Sequence, residues 1–354
     1  MAAHNPPPRR YPVARSNTQV PSLHYPSEII TKDKNSAARR QYLVFFIPGN
    51  PGLADYYVPF LTALRQLLNE TEAKTSCAFH IRTQNLIGFD DADHEPPFSN
   101  DAPPFSLEDQ ICHIYDSVFE ANMISQAGNP RNGRTFDGVI LMGHSVGAYI
   151  AMEIFHRHHL AQEKRGLNLK TGIMLFPTIT HIAKSRNGWK MDWLRTTPFL
   201  DRHAHRIARR FLDLWPSWVL QGIIRPAMGF ADHGTAATTR WITSRDGLWQ
   251  TLHLGKDEMG TITEERWSEE LWEIADEVDS PNASVDKFYF LFGQNDEWVG
   301  EKSRDEFIRR RKEHAQGRTR IVIDENKIPH AFCIHHSELV AQKIKPWIEE
   351  VAGA

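Results

Sequence analysis

A serine with glycine two positions to either side, Gly143-His144-Ser145-Val146-Gly147, follows the apolar run Val139-Ile140-Leu141-Met142 and precedes the helix-compatible stretch Ala148-Tyr149-Ile150-Ala151-Met152-Glu153-Ile154-Phe155. A strand, then G-x-S-x-G, then a helix makes a sharp turn that lifts a serine hydroxyl above the end of a sheet. The glycines are required because a Cβ at either position would strike strand or helix. The implied chemistry is nucleophilic attack by the serine oxygen on a carbonyl, with the N–H of the next residue, Val146, facing the oxyanion that forms. Epoxide hydrolase or dehalogenase chemistry needs a carboxylate at the turn, where this chain has Ser145.

Such a serine needs a general base within hydrogen-bond reach, and the base needs an orienting carboxylate. After an elbow of this kind the chain order is Ser, then Asp or Glu, then His. Asp296 lies in Gly293-Gln294-Asn295-Asp296, just after the apolar run Phe288-Tyr289-Phe290-Leu291-Phe292, and His330 lies in Ile328-Pro329-His330-Ala331-Phe332, after Arg320-Ile321-Val322-Ile323. Glu297 is the rival to Asp296, whereas Asp324 follows the wrong strand. His335 and His336 rival His330 but fall in the first turn of a closing helix. The cluster His156, His158 and His159 ends the helix after the elbow, where cations favour the helix dipole, and is not read as a metal site. A second oxyanion donor is expected from the loop after the first core strand, Pro48-Gly49-Asn50-Pro51-Gly52; its prolines have no N–H, so Asn50 is the candidate. The set Ser145, Asp296 and His330, with Asn50 and Val146 as oxyanion donors, calls for no cofactor and no metal.

Elements must bring these positions to one sheet edge. Tyr42-Leu43-Val44-Phe45-Phe46-Ile47 is a continuous apolar run ended by Pro48-Gly49, as in a strand buried on both faces. A helix is predicted from residue 59, with Phe60, Leu61, Leu64, Leu67 and Leu68 on one face, followed by a strand near residues 77–83. Ser106 and Asp109 form a capping box for the next helix. Strands near residues 171–176, 288–292 and 320–323, with helices near 301–311 and 337–351, continue the alternation. Residues 25–31 offer a weak first strand. The alternation predicts an α/β class, an α/β-hydrolase fold with a doubly wound, mostly parallel sheet. Residues 188–256 break the rhythm and read as an inserted helical lid rich in tryptophan, including Trp189, Trp193, Trp215, Trp218, Trp241 and Trp249. Residues 1–38 are expected to form a flexible leader containing proline and arginine, and residues 39–354 the hydrolase domain.

The 354 residues suit one large α/β domain with an insertion. A net charge of -3 gives no general case for nucleic-acid binding, and three scattered cysteines predict no disulfide framework, so the chain reads as reduced and intracellular. The first residues lack the apolar core of a signal peptide. The segment 211–230, FLDLWPSWVLQGIIRPAMGF, is apolar and aromatic but is interrupted by Asp213, Pro216, Arg225 and Pro226, which argues against a transmembrane span. Two readings stay open for it, lid core over the pocket or contact with a phospholipid monolayer. Arg206, Arg209 and Arg210 just before it favour contact with anionic lipid.

With these residues in place, the chain resembles the lipid-droplet-associated hydrolase family from about residue 42 to residue 348. The resemblance is carried by Ile47-Pro48-Gly49-Asn50-Pro51-Gly52 with Tyr56-Tyr57 and Pro59-Phe60, by the elbow with Ala148-Tyr149, by Leu175-Phe176-Pro177-Thr178-Ile179 with Ile182-Ala183 and Asn187-Gly188, and by His330-Ala331-Phe332. It implies triad roles for Ser145, Asp296 and His330. It also implies a carboxylic ester hydrolase of lipid-like substrates, sterol esters or acylglycerols, at the cytoplasmic face of lipid droplets. The expected partners are therefore a lipid ester and the droplet monolayer. A droplet structural or lipid-storage protein with little turnover, and a soluble small-ester hydrolase, are the alternatives.

Overall fold

The computed structural model describes residues 20–32, 39–123, 135–161, 166–228, 232–265, 267, 271–272, 287–314 and 319–353. In chain order the elements are β1 (Ser22–Tyr25), α1 (Glu28–Lys32), β2 (Arg40–Ile47), α2 (Val58–Lys74), β3 (Cys77–Gln84), α3 (Leu107–Met123), β4 (Gly138–His144), α4 (Val146–Leu160) and β5 (Leu169–Leu175). The helices that follow include α5 (Gly188–Thr196), α6 (Pro198–Leu212), α7 (Ser217–Met228), α8 (Asp232–Thr243) and α9 (Gly247–Thr261). The alternation then resumes with β6 (Lys287–Gly293), α10 (Glu301–His314), β7 (Thr319–Asp324) and α11 (Ser337–Ala352).

The strands form one seven-stranded sheet in the order β1-β3-β2-β4-β5-β6-β7. Among the described residues only β1 is antiparallel to its neighbour. The chain steps outward from β2 to β3, then returns past β2 to β4. The direction of winding thus reverses between β2 and β4, the kind of switch point at which α/β sheets open a crevice beyond their carboxyl ends.

Successive side chains on a strand point to opposite faces, and both faces of this sheet are covered. Leu43, Phe45, Ile47, Val139 and Leu141 pack on the side of α3 and α4. Tyr42, Val44, Phe46, Ile140 and Met142 pack against Phe60, Leu64, Val340, Ile344 and Trp347 of α2 and α11. Double coverage explains the unbroken apolar runs. The capping box forms as expected: Asp109 N–H donates to Ser106 Oγ at 3.2 Å, and Ser106 N–H donates to an Asp109 carboxylate oxygen at 2.8 Å.

Three local expectations need correction. The first strand is Ser22–Tyr25 and not 25–31, because Pro26 cannot continue a ladder and the chain turns into α1. Ser27 holds that turn by donating to the buried Glu72 carboxylate at 2.8 Å. These elements fall inside the expected leader, so its described part, residues 20–32, belongs to the folded sheet layer; residues 1–19 lie outside the described residues. The lid helices run past residue 256, because α9 continues to Thr261 with Gln250, Leu254 and Glu258 on one buried face. His158, in the histidine cluster that ends α4, is buried and not at the surface, with its Nδ1 3.0 Å from the Tyr115 hydroxyl.

Candidate active site

Ser145 follows β4 and precedes α4 with φ 55° and ψ -123°. That backbone region costs a non-glycine residue on the order of 1–3 kcal/mol, so the surroundings must impose it. They do so by close packing. A Cβ on Gly143 would lie 2.2 Å from the Gly147 carbonyl oxygen, and one on Gly147 would lie 2.3 Å from that of Ile47. Only glycine lets the turn close this tightly and lets α4 pass so near β2. The Ser145 N–H donates to the Leu175 carbonyl at 3.0 Å, tying the elbow to the end of β5.

The structure brings Ser145, His330 and Asp296 together. Ser145 Oγ lies 2.8 Å from His330 Nε2. His330 Nδ1 lies 2.7 Å from Asp296 Oδ2. Asp296 follows β6 and His330 sits in the loop after β7. The Asp296 side chain is buried, and its Oδ1 accepts the Trp298 N–H at 2.8 Å. The carboxylate thus accepts from Nδ1–H and leaves Nε2 as the acceptor of the serine proton, the tautomer a base at this position requires. The rivals stand elsewhere. Glu297 is paired with Arg186 at 3.2 Å, Asp324 accepts the Ile328 N–H at 2.9 Å, and His335 and His336 immediately precede α11.

The two expected oxyanion donors lie on adjoining structures. Val146 opens α4, where N–H groups have no partner within the helix. In the loop after β2, a Cβ on Gly49 would meet Ser145 Cβ at 3.0 Å, so this backbone runs directly against Ser145. The Gly49 N–H is committed to the Tyr57 hydroxyl at 3.0 Å. Pro48 and Pro51 have none to offer, and of the residues from Pro48 to Pro51 only Asn50 keeps an N–H for a ligand.

The family described as lipid-droplet associated hydrolase matches residues 40–333. This chain belongs to that family. Relatives named lipid droplet-associated hydrolase include those of Gallus gallus, 26% identical with 92% of this chain and 90% of the relative covered, and Mus musculus, 24% identical with 89% and 87% covered. The Dictyostelium discoideum relative is 25% identical, with 86% of each chain covered. Among solved structures, the peroxisomal α/β-hydrolase Lpx1 of Saccharomyces cerevisiae superposes with a TM-score of 0.56 at 10% identity, covering 94% of this chain and 82% of that one. The enol-lactonase of Burkholderia xenovorans gives 0.52 at 12% identity, covering 95% and 98%. These likenesses bear out the α/β-hydrolase fold read from the sequence.

In this member of the lipid-droplet-associated hydrolase family, the lid is fastened to the Asn50 loop. Asn50 Nδ2 donates to the Thr251 carbonyl at 3.1 Å and to Glu258 Oε1 at 3.0 Å, both on α9. The Tyr56 hydroxyl lies 2.8 Å from Thr238 Oγ1 on α8, and Arg240 pairs with Asp55. Burial pushes the Glu258 carboxyl up to about 8, against the opposing hydrogen bond from Asn50, so it is largely protonated at neutral pH. Glu258 was missed in the sequence because it lies beyond residue 256. Its signal was a carboxylate on the apolar face of a helix, four residues after Leu254.

Among the described residues no helix is long and apolar enough to cross a membrane. The exposed face of the lid is nevertheless apolar. On α6, Phe199, Ile207 and Phe211 recur at the spacing of one helix face and are exposed. Arg202, Arg206 and Arg210 form an exposed stripe beside them. The segment 211–230 is part exposed and part packed inward. Phe211, Leu214, Trp215, Trp218 and Ile223 are exposed, whereas Leu220 and Ile224 pack inward near Tyr56. Residues 229 and 230 lie outside the described residues.

Proposed function

We propose that this chain is a serine ester hydrolase that acts on lipid-like esters, sterol esters or acylglycerols, at the cytoplasmic face of lipid droplets. The observation that carries the reading is the continuous hydrogen-bonded set from Ser145 Oγ through the His330 ring to buried Asp296, at 2.8 and 2.7 Å. In the first half-reaction Ser145 Oγ attacks the ester carbonyl and its proton passes to His330 Nε2. The tetrahedral oxyanion is held by the N–H groups of Val146 and Asn50. His330 returns the proton to the leaving alcohol oxygen as the C–O bond breaks, which leaves an acyl-serine. Water, deprotonated by His330, then attacks the acyl carbonyl, and the acid departs as Ser145 regains its proton. Asp296 holds the imidazole in register and stabilises its charged form.

The partner surface is the droplet monolayer. Phe199, Ile207, Phe211, Trp215 and Trp218 supply exposed apolar area, and Arg202, Arg206 and Arg210 supply charge toward anionic headgroups. Such a concentration of exposed large apolar side chains in one region supports a binding surface.

The experiment pairs covalent labelling with a substrate series. A fluorophosphonate probe is expected to label wild-type protein and not Ser145→Ala. Esters of increasing acyl length presented as emulsions are expected to be cleaved better than short soluble ones. Absence of labelling in a folded protein would reject the enzyme in favour of a droplet structural role. Preference for short soluble esters would reject the lipid substrate.

A further inference from the structure

The second residue of the elbow, His144, lies beneath the catalytic histidine and takes no part in the steps above. Its ring is buried between Tyr57, Phe176, Phe332 and His330, with centroids 5.0–6.2 Å away. Both nitrogens are used. Nε2 lies 2.9 Å from the His330 backbone carbonyl oxygen, and Nδ1 lies 2.7 Å from the Tyr57 hydroxyl. A carbonyl only accepts, so Nε2 must carry the proton. In a neutral ring Nδ1 is then an acceptor, so Tyr57 must donate to it. That leaves the Tyr57 oxygen to accept the Gly49 N–H at 3.0 Å. Every proton in the chain Gly49, Tyr57, His144, His330 therefore has one consistent place. Burial, with the neighbouring His330 ring adding to it, holds His144 well below the usual histidine range, and burial holds the Tyr57 phenol well above its own, so neither group changes charge near neutral pH.

The chain ends on two parts whose spacing the reaction depends on. At one end is the backbone of His330, in the loop after β7, whose carbonyl also accepts the Phe332 N–H at 2.9 Å. At the other is Gly49, next to Asn50. Nδ1 of His144 would stand 3.0 Å from a Cβ at Gly49, so loop and ring are in close packing as well as bonded. We propose that His144 and Tyr57 are positioning residues that lock the general base and the oxyanion loop into one rigid unit, His144 Nε2–H holding the His330 carbonyl and the Tyr57 hydroxyl holding the Gly49 N–H. The chain also draws the Gly49 N–H away from the oxyanion, which leaves that task to Asn50. The inference rests on the serine hydrolase reading and names two more side chains of the same site.

The test uses the full-length protein and a fluorophosphonate probe, with saturation of the labelling rate separating probe affinity from the covalent step. Tyr57→Phe removes one oxygen from a buried ring. It is expected to slow the covalent step roughly tenfold to a hundredfold, as small misplacements do, with probe affinity unchanged. His144→Asn is expected to act similarly, and the double variant to be no slower than the slower single, because each breaks the same chain. A folded Tyr57→Phe that labels at the wild-type rate, or losses that multiply in the double variant, would overturn the proposal. Should the variants not fold, nitrogen NMR of the wild-type imidazoles decides at neutral pH. His144 must be neutral with its proton on Nε2; the other tautomer or an imidazolium overturns the chain. Failure of wild-type protein to label would reject the hydrolase reading, and the tautomer would still decide the positioning chain.

Discussion

Apolar side chains are handled in opposite ways at the two ends of this site. Beneath Ser145, Phe176 and Phe332 are 0% exposed and Tyr57 is 3% exposed, and the polar atoms among them are hydrogen-bonded to one another. In the lid, Trp218 is 73% and Phe211 62% exposed. Of the twelve large exposed apolar residues among the described residues, nine fall between Trp189 and Ile223, so the exposure is a regional property and not ordinary surface scatter. The difference separates two tasks. The elbow has to hold atoms to fractions of an ångström, which requires close packing and paired polar groups. The lid face, proposed to meet lipid, needs only apolar area and neighbouring positive charge without a fixed partner geometry. Between them lies α9, whose Glu258 and Thr251 hold the Asn50 side chain.

The comparison can be broken by changing one side and watching the other. The largest effect is expected from Asp296→Asn. Turnover of a soluble ester should fall by roughly 10⁴, because the amide favours the wrong imidazole tautomer, while thermal unfolding and droplet binding stay as in wild type. Next comes the oxyanion loop. Asn50→Pro deletes the backbone donor and should cost about 10²–10³ in kcat. Asn50→Ala keeps that donor, loses only the tie to α9, and should cost much less. Equal rates in two folded variants would remove Asn50 N–H from the mechanism.

On the lid side, Trp215→Ser with Trp218→Ser should weaken binding to protein-free droplets by more than about tenfold, since burying one large apolar side chain contributes roughly 1.5–3 kcal/mol. Labelling of Ser145 by a small soluble probe should persist. Unchanged droplet binding would detach these tryptophans from the lipid surface. Loss of labelling together with the folded signal would make them lid core.

The smallest effect sharpens the junction. Glu258 has an ordinary value of 4.5 and about 8 in the folded protein. Between those values the native state keeps a proton that the unfolded chain releases, so this group's contribution to stability is complete below about pH 4.5 and is lost as pH rises through 8. Glu258→Gln keeps a neutral acceptor for Asn50 and removes the titration. Relative to wild type, the variant should therefore gain thermal stability between pH 5 and pH 9, a comparison that melting curves at both ends would make. Asp93, pushed up to about 7 by burial, contributes in the same direction in both proteins and cancels in the difference.

The fold was legible in the sequence because both faces of the sheet are covered, which turns each central strand into an unbroken apolar run ended by glycine, proline or a polar loop. The positions of Ser145 and Asp296 were legible for the same reason, since each directly follows such a run. His330 follows the edge strand β7, whose short apolar stretch Ile321-Val322-Ile323 is only partly covered, and was legible from chain order. The chain through Tyr57 and His144 was not. Those residues are 87 positions apart, and a histidine ending an apolar strand carries no local sign of what its ring touches. Pro26 ended the first strand earlier than its apolar neighbours suggested. The lid composition announced aromatic surface but not which side faced out. The exposed face of α6 was readable in the spacing of Phe199, Ile207 and Phe211, while the longer apolar stretch after it drew the eye to residues 211–230.

The hydrogen-bonded set at the elbow is expected to work as a nucleophile independent of the lipid surface. This expectation is tested most directly by fluorophosphonate labelling of purified, lipid-free protein, with the modified peptide identified by mass. The expected result is one phosphonyl group on Ser145, absent in Ser145→Ala and much slowed in Asp296→Asn. A folded wild-type protein that takes no label, or takes it at another residue, would contradict the account.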